Sequence, residues 1–133
     1  MKYLLDTDWI INLLAGNKDA EEKIQHLDPN DIVISLATVA EIYEGAYIYA
    51  NPEAHIHTFR QFLSNFQLLN LNLSIMEKFA EIRSYLRRRG ELISDFDILL
   101  GATALHHDLT VLTYNKRHFE RIPDLKLYPS PAA

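Results

Sequence analysis

Acidic side chains recur where short apolar runs end. Asp6 follows Tyr3-Leu4-Leu5 directly, and Asp95 and Asp97 open a helical stretch. Glu41 stands about two turns into the helix expected after Ile32-Val33-Ile34. Thr113 and Asn115 follow Thr110-Val111-Leu112 in the same manner. Ligands of an open parallel sheet bind beyond the carboxyl ends of its strands, so parallel pairing of these runs would gather carboxylates from three distant segments. Carboxylates held that closely repel one another unless a positive charge sits among them. A metal ion is the simplest such charge, and a set of oxygen ligands selects Mg²⁺ or Mn²⁺ over zinc or copper. The expected metal ligands are Asp6, Glu41, Asp95 and Asp97. His55/His57 and His106/His107 lack the i, i+4 spacing that puts two ligands on one helical face, and they are expected at the surface.

Each segment also has a purely structural reading. Asp6-Thr7-Asp8 is a good N-cap with an extra first-turn acid, Ser94-x-x-Asp97 fits a capping box, and Thr113-x-Asn115 is ordinary strand-end chemistry. Glu41 is the most informative of the acids, because it interrupts the apolar face of Val39, Ile42, Tyr43, Ala46 and Tyr47 and has no capping role. The remaining alternative for Glu41 is that it turns outward beside Glu44.

The elements that must position these residues follow from periodicity and punctuation. Strands are expected at Lys2 to Leu5, Ile32 to Ile34, Gln67 to Leu71, Thr110 to Thr113 and Lys126 to Tyr128. Between them lie helices over about Trp9 to Leu14, Asp19 to Leu27, Leu36 to Ala50 (capped by Ser35), Glu53 to Asn65, Ser74 to Arg89 and Asp95 to His107. Short strands alternating with helices imply βαβ units, hence a parallel sheet covered on both faces.

The 133 residues, 48% hydrophobic and 23% charged, fit one domain spanning 1–133. The absence of cysteine rules out disulfides and thiolate zinc sites and agrees with a reducing cytoplasm. Asp6 and Asp8 interrupt the apolar start that a signal peptide needs. The longest uncharged apolar stretch, Ile98 to Leu105, is far short of the ~20 residues that span a bilayer, so no membrane association is expected. A net charge of −5 argues against broad phosphate neutralisation. Arg83/Arg87/Arg88/Arg89 and Lys116/Arg117/Arg121 are local exceptions that could steer a phosphate backbone toward an acidic site, although the first cluster is also ordinary for a helix C-terminus.

Taken together and in this order, the motifs resemble the PIN-domain toxins of the VapC group over nearly the whole chain. The resemblance rests on Tyr3-Leu4-Leu5-Asp6-Thr7, on Glu41 with Gly45 four residues on, on Asp97-Ile98-Leu99-Leu100-Gly101-Ala102-Thr103-Ala104, and on Thr113-Tyr114-Asn115-Lys116-Arg117-His118-Phe119. His118 stands where that family often has Asp or Glu, which bears on a second metal position. The resemblance implies a three-layer α/β/α sandwich with a five-stranded parallel sheet, and Mg²⁺- or Mn²⁺-dependent cleavage of RNA. It further implies a homodimer and inhibition by a cognate antitoxin, whose helix would lie in an apolar groove. A metal held by Asp6 and Asp97 would activate water, Glu41 would complete the shell or position that water, and Thr113 and Asn115 would orient these groups or the phosphate. Gly45 would remove bulk one turn above Glu41. Trp9, Tyr43, Tyr47 and Tyr49 exceed what one small core needs, so some are expected to stay exposed.

Two rivals remain. An apolar strand running into Asp6-Thr7-Asp8 also resembles the nucleophile motif of haloacid-dehalogenase-like phosphohydrolases. That motif expects Thr or Val where Ile10 stands, however, and it gives Glu41 no role. The other rival is a catalytically silent fold used only for binding.

Overall fold

The computed structural model describes residues 1–128. Five short strands, β1 (Tyr3–Leu5), β2 (Ile32–Ser35), β3 (Gln67–Leu69), β4 (Thr110–Leu112) and β5 (Lys126–Tyr128), form one sheet in the order β3-β2-β1-β4-β5. Every pairing is parallel, with Leu4 opposite both Val33 and Val111. The chain first builds outward from β1 through α1 (Thr7–Leu14), α2 (Lys18–Gln25) and β2, then through α3 (Leu36–Ala46) and α4 (Pro52–Leu63) to β3. It returns through α5 (Leu73–Arg88) and α6 (Asp95–His107) to β4 on the other side of β1, and α7 (Lys116–Phe119) leads to β5. Strand order thus reverses between β1 and β4, and the connections leaving these two strands part there to open a crevice.

Alternation along the central strands divides the core between the two faces of the sheet. Leu4, Val33 and Val111 pack with Ile75, Ile82, Leu86 and Ile98 of α5 and α6. Leu5, Ile32, Ile34 and Leu112 pack with Trp9, Ile10, Val39 and Phe59 of α1, α3 and α4. These central strands are buried on both sides and therefore read as continuous apolar runs, as parallel strands should. The layers are α/β/α, as expected.

Boundaries differ from the sequence reading where capping decides them. Helix α3 stops at Ala46 rather than Ala50, where the Tyr47 N–H turns to the Glu44 carbonyl at 3.1 Å and tightens the last turn. Asn51 caps α4 by accepting from the Ala54 N–H, with Pro52 at the first helical position. Asn72, not Ser74, caps α5 through the Ile75 N–H at 2.9 Å. The four-residue α7 is too short to leave a periodic signal in the sequence. No helix among the described residues is long and apolar enough to cross a membrane.

Candidate active site

Strand β1 delivers Asp6 to the crevice, where it serves as N-cap of α1 and is 5% exposed. Its Oδ1 accepts from the Thr7 N–H at 2.8 Å and its Oδ2 from the Thr113 hydroxyl at 2.7 Å. Thr113 is fully buried just beyond β4, and its Oγ1 also accepts from the Asn115 N–H at 2.9 Å. The side chains that end β1 and β4 are therefore joined directly, next to the parallel register that aligns Leu5 with Leu112.

Two further acids enter from other elements. Glu41, half-buried on α3, accepts from the Thr7 hydroxyl through Oε1, which ties α3 to the first turn of α1. Asp97 lies in the first turn of α6, where its N–H donates to Ser94 Oγ at 3.2 Å. That is only half of a capping box, because the Asp97 carboxylate stands 3.6 Å from His118 Nδ1. His118 is held in turn by Asn115, whose Nδ2 is 2.8 Å from the same ring nitrogen. Asp6, Glu41, Asp97, Thr113 and Asn115 thus all belong to one connected region.

Asp95 does not belong to it. Two positions from Asp97 on a helix is about 200° around the axis. Its carboxylate is 66% exposed and pairs with Arg83 Nε of α5 at 2.8 Å. Both acids satisfy the same first-turn preference, and only the tertiary neighbour separates them.

The acid that sequence reasoning passed over is Asp8. Its Oδ2 accepts from the Tyr114 N–H at 3.1 Å and lies 3.4 Å from the Thr113 hydroxyl. Its Oδ1 is buried with no hydrogen-bond partner. Burial, then the neighbouring Asp8 charge, push the Asp6 carboxyl up to about 7 against the bonds from Thr113 and Thr7, and Asp97 adds to the rise. Burial also raises the Asp8 carboxyl from its ordinary value. A buried carboxylate oxygen without a donor, set among like charges, is what a hard cation would satisfy, and the donors are all oxygens. Among the described residues no three His, Asp or Glu side chains stand at ligand spacing around one point.

The residue pattern, the sheet and the crevice agree with a known family. The sequence profile of the PIN domain matches residues 3–125. The chain belongs to the PIN-domain family. This PIN domain is similar to "Ribonuclease VapC1" of Haemophilus influenzae (strain R2866), at 31% identity over 128 residues covering 95% of this chain and 96% of the relative. It is similar to the "tRNA(fMet)-specific endonuclease VapC" of Salmonella typhimurium at 27% identity, with 96% of each chain covered. Among solved structures it resembles VapBC2 from Rickettsia felis bound to a DNA fragment from their promoter, with a TM-score of 0.87, 26% identity, and 96% and 97% of the two chains covered. This family assignment does not favour the phosphohydrolase reading of Asp6-Thr7-Asp8.

Beside the acids the PIN domain has an apolar groove of about 610 Å³, lined by Ile11, Leu14, Ile42, Ile48 and Tyr49 together with Glu41 and Thr7. Of the four aromatics expected to be in excess, Tyr47 and Tyr49 are exposed at 69% and 51%. Tyr43 is half-buried and Trp9 is 1% exposed, so Trp9 is a core residue. Gly45 also lines the groove, and a Cβ added there meets no atom within 4 Å. Its lack of a side chain therefore widens the groove rather than relieving crowding. Gly45→Ala should stabilise the isolated protein by about 0.5–1 kcal/mol through helix propensity alone. Urea unfolding that shows a loss instead would contradict this placement.

Proposed function

We propose that this PIN domain is a divalent-metal-dependent endoribonuclease, using Mg²⁺ with Mn²⁺ able to substitute, and that it acts as the toxin of a toxin–antitoxin pair. The observation that carries the reading is the acidic centre itself, in which the unpartnered Asp8 oxygen lies beside Asp6 while Asp97 and Glu41 approach from separate helices. The names of its relatives, ribonucleases and endonucleases, support the substrate class.

Asp6, Asp97 and Glu41 would hold the ion, with the unpartnered Asp8 oxygen facing it from beside Asp6. When bound, such an ion supplies Lewis acidity and offsets charge developing on the phosphate. Thr113 fixes one Asp6 oxygen and Thr7 fixes one Glu41 oxygen, so both carboxylates are aimed before substrate arrives. Lys116 and Arg117 form no ion pair among the described residues and flank Asn115 and His118, where they can meet the negative backbone of RNA. Asp95 has no role in this scheme.

The antitoxin would lay an apolar helical segment along the groove beside Glu41 and cover the site's entrance. Solved complexes of VapBC2 from Rickettsia felis and of VapBC from Salmonella typhimurium support a cognate antitoxin as partner. Self-association belongs to the same reading, since Tyr47, Ile48 and Tyr49 leave a mostly exposed apolar edge. Expression of the chain alone in bacteria should arrest growth with accumulation of cut RNA, and the protein encoded beside it should relieve the arrest. Normal growth with intact RNA at equal protein level would contradict the reading.

His118 sets how many ions bind. An imidazole near Asp97 adds no permanent negative charge and is a poorer partner for a hard cation than a carboxylate. One ion should bind without RNA, and a second only weakly until a phosphate contributes oxygens. His118→Asp should add a second binding event in Mn²⁺ calorimetry and lower the metal concentration needed for cleavage. Two ions of similar affinity in the parent protein, without RNA, would show that His118 is not limiting.

A further inference from the structure

Tyr114 lies between two residues of the site, Thr113 and Asn115, and its backbone N–H is tied to Asp8 Oδ2 at 3.1 Å. Its ring stacks on Trp9, with centroids 4.4 Å apart and planes within 13°. Its hydroxyl donates to Asp19 Oδ2 at 2.8 Å. Two contacts therefore hold the side chain and a third holds its backbone, yet Tyr114 is 41% exposed while the Trp9 beneath it is 1% exposed. Tyr114 is the lid on Trp9, and its other face looks away from the core.

Lys23 does not cover that face. Its Nζ lies 5.9 Å from the Trp9 centroid and 5.9 Å from the Tyr114 centroid. A cation centred over the outer face of Tyr114 would lie much farther from Trp9 than from Tyr114, so equal distances place Nζ to the side of the stack. There Lys23 pairs with Asp19 at 3.3 Å, and Tyr114 keeps its exposed surface. A fixed, open aromatic face costs little entropy to use and offers every base the same π surface. The packing of Trp9 alone would be served by any apolar cap, but the stack on Trp9 sets the plane of an aromatic ring while the backbone bond to Asp8 keeps the residue beside the acids.

We propose that Tyr114 is a stacking platform for an unpaired nucleobase flanking the scissile phosphate. The proposal rests on the nuclease reading for the reaction, but binding can be tested apart from cleavage. Trp9 is the sole tryptophan and lies directly under Tyr114, so its fluorescence reports on the stack.

The probe is a short mixed-sequence single-stranded RNA, titrated against the Asp6→Asn protein so that nothing is cut. RNA should change the Trp9 emission and saturate. An abasic ribose-phosphate chain of the same length should bind about tenfold more weakly or worse, and so should the same RNA in a duplex. Tyr114→Leu keeps a cap over Trp9 without a π face. In the otherwise native protein it should raise KM about tenfold with a smaller effect on kcat, whereas Tyr114→Phe should stay near the parent. A purely structural lid would lower the melting temperature of Tyr114→Leu and leave RNA affinity unchanged, which would overturn the proposal. Equal binding of the abasic chain would overturn it too, with no variant needed. A parent that binds RNA in this base-dependent way but never cuts it would refute the nuclease reading and leave the platform standing. A parent that neither binds nor cuts RNA refutes both.

Discussion

Asp6→Asn, Glu41→Gln and Asp97→Asn should each lower RNA cleavage by at least about a thousandfold, the scale seen when one member of a catalytic unit is removed. The three reach the crevice from β1, α3 and α6, so no local distortion is common to all of them. Each substitution keeps the shape of its side chain and removes a charge that a bound cation would need. In chelator the same variants should melt no lower than the parent, because the like-charge repulsion among the acids is relieved. Asp95→Asn provides the contrast. Its carboxylate faces Arg83 on the surface, where an exposed pair contributes little, and cleavage should stay within about twofold of the parent. Comparable loss for Asp95→Asn would mean that α6 presents a different face to the site.

Without divalent ions, stability attributable to Asp6 should fall as pH rises toward neutrality. Burial and the Asp8 charge bring the folded carboxyl to about 7, against 3.8 in the unfolded chain. Between those values the folded protein holds a proton that the unfolded chain has released, so raising the pH favours unfolding. The contribution is fully present below about pH 4 and lost as pH rises through about 7. At roughly 1.4 kcal/mol per pH unit its ceiling is about 4 kcal/mol, shared with Asp8 because the two carboxyls titrate together. Other carboxylates add their own slopes, so the informative quantity is parent minus Asp6→Asn, followed by urea unfolding in chelator from pH 4 to 8. That difference should turn against the parent with rising pH. A flat difference would mean that Asp6 ionises freely in the folded protein. Added Mn²⁺ should reverse the trend and release protons on binding below pH 7.

Much of this arrangement is legible in the chain because the residues concerned act locally. Ser35 and Ser94 cap the helices they precede, and the apolar runs that end at Leu5 and Leu112 are buried central strands. The acid–threonine link between Asp6 and Thr113 follows once β1 and β4 are neighbours. Other features depend on partners far along the chain. Asp8 looks like a helpful first-turn acid until Tyr114 is seen to cap one of its oxygens and leave the other alone. Trp9 looks like surplus aromatic surface until the same Tyr114 closes over it. Asp95 and Asp97 are equivalent to capping rules, and Arg83 on α5 decides between them.

The purified chain should cut a mixed RNA population with Mg²⁺ or Mn²⁺ present, and the cutting should stop with excess chelator and resume when the ion is restored. Asp6→Asn, prepared identically, should not cut under any of these conditions. Cleavage that persists in chelator, or that survives in Asp6→Asn, would contradict an acidic, cation-dependent centre at the β1–β4 crevice.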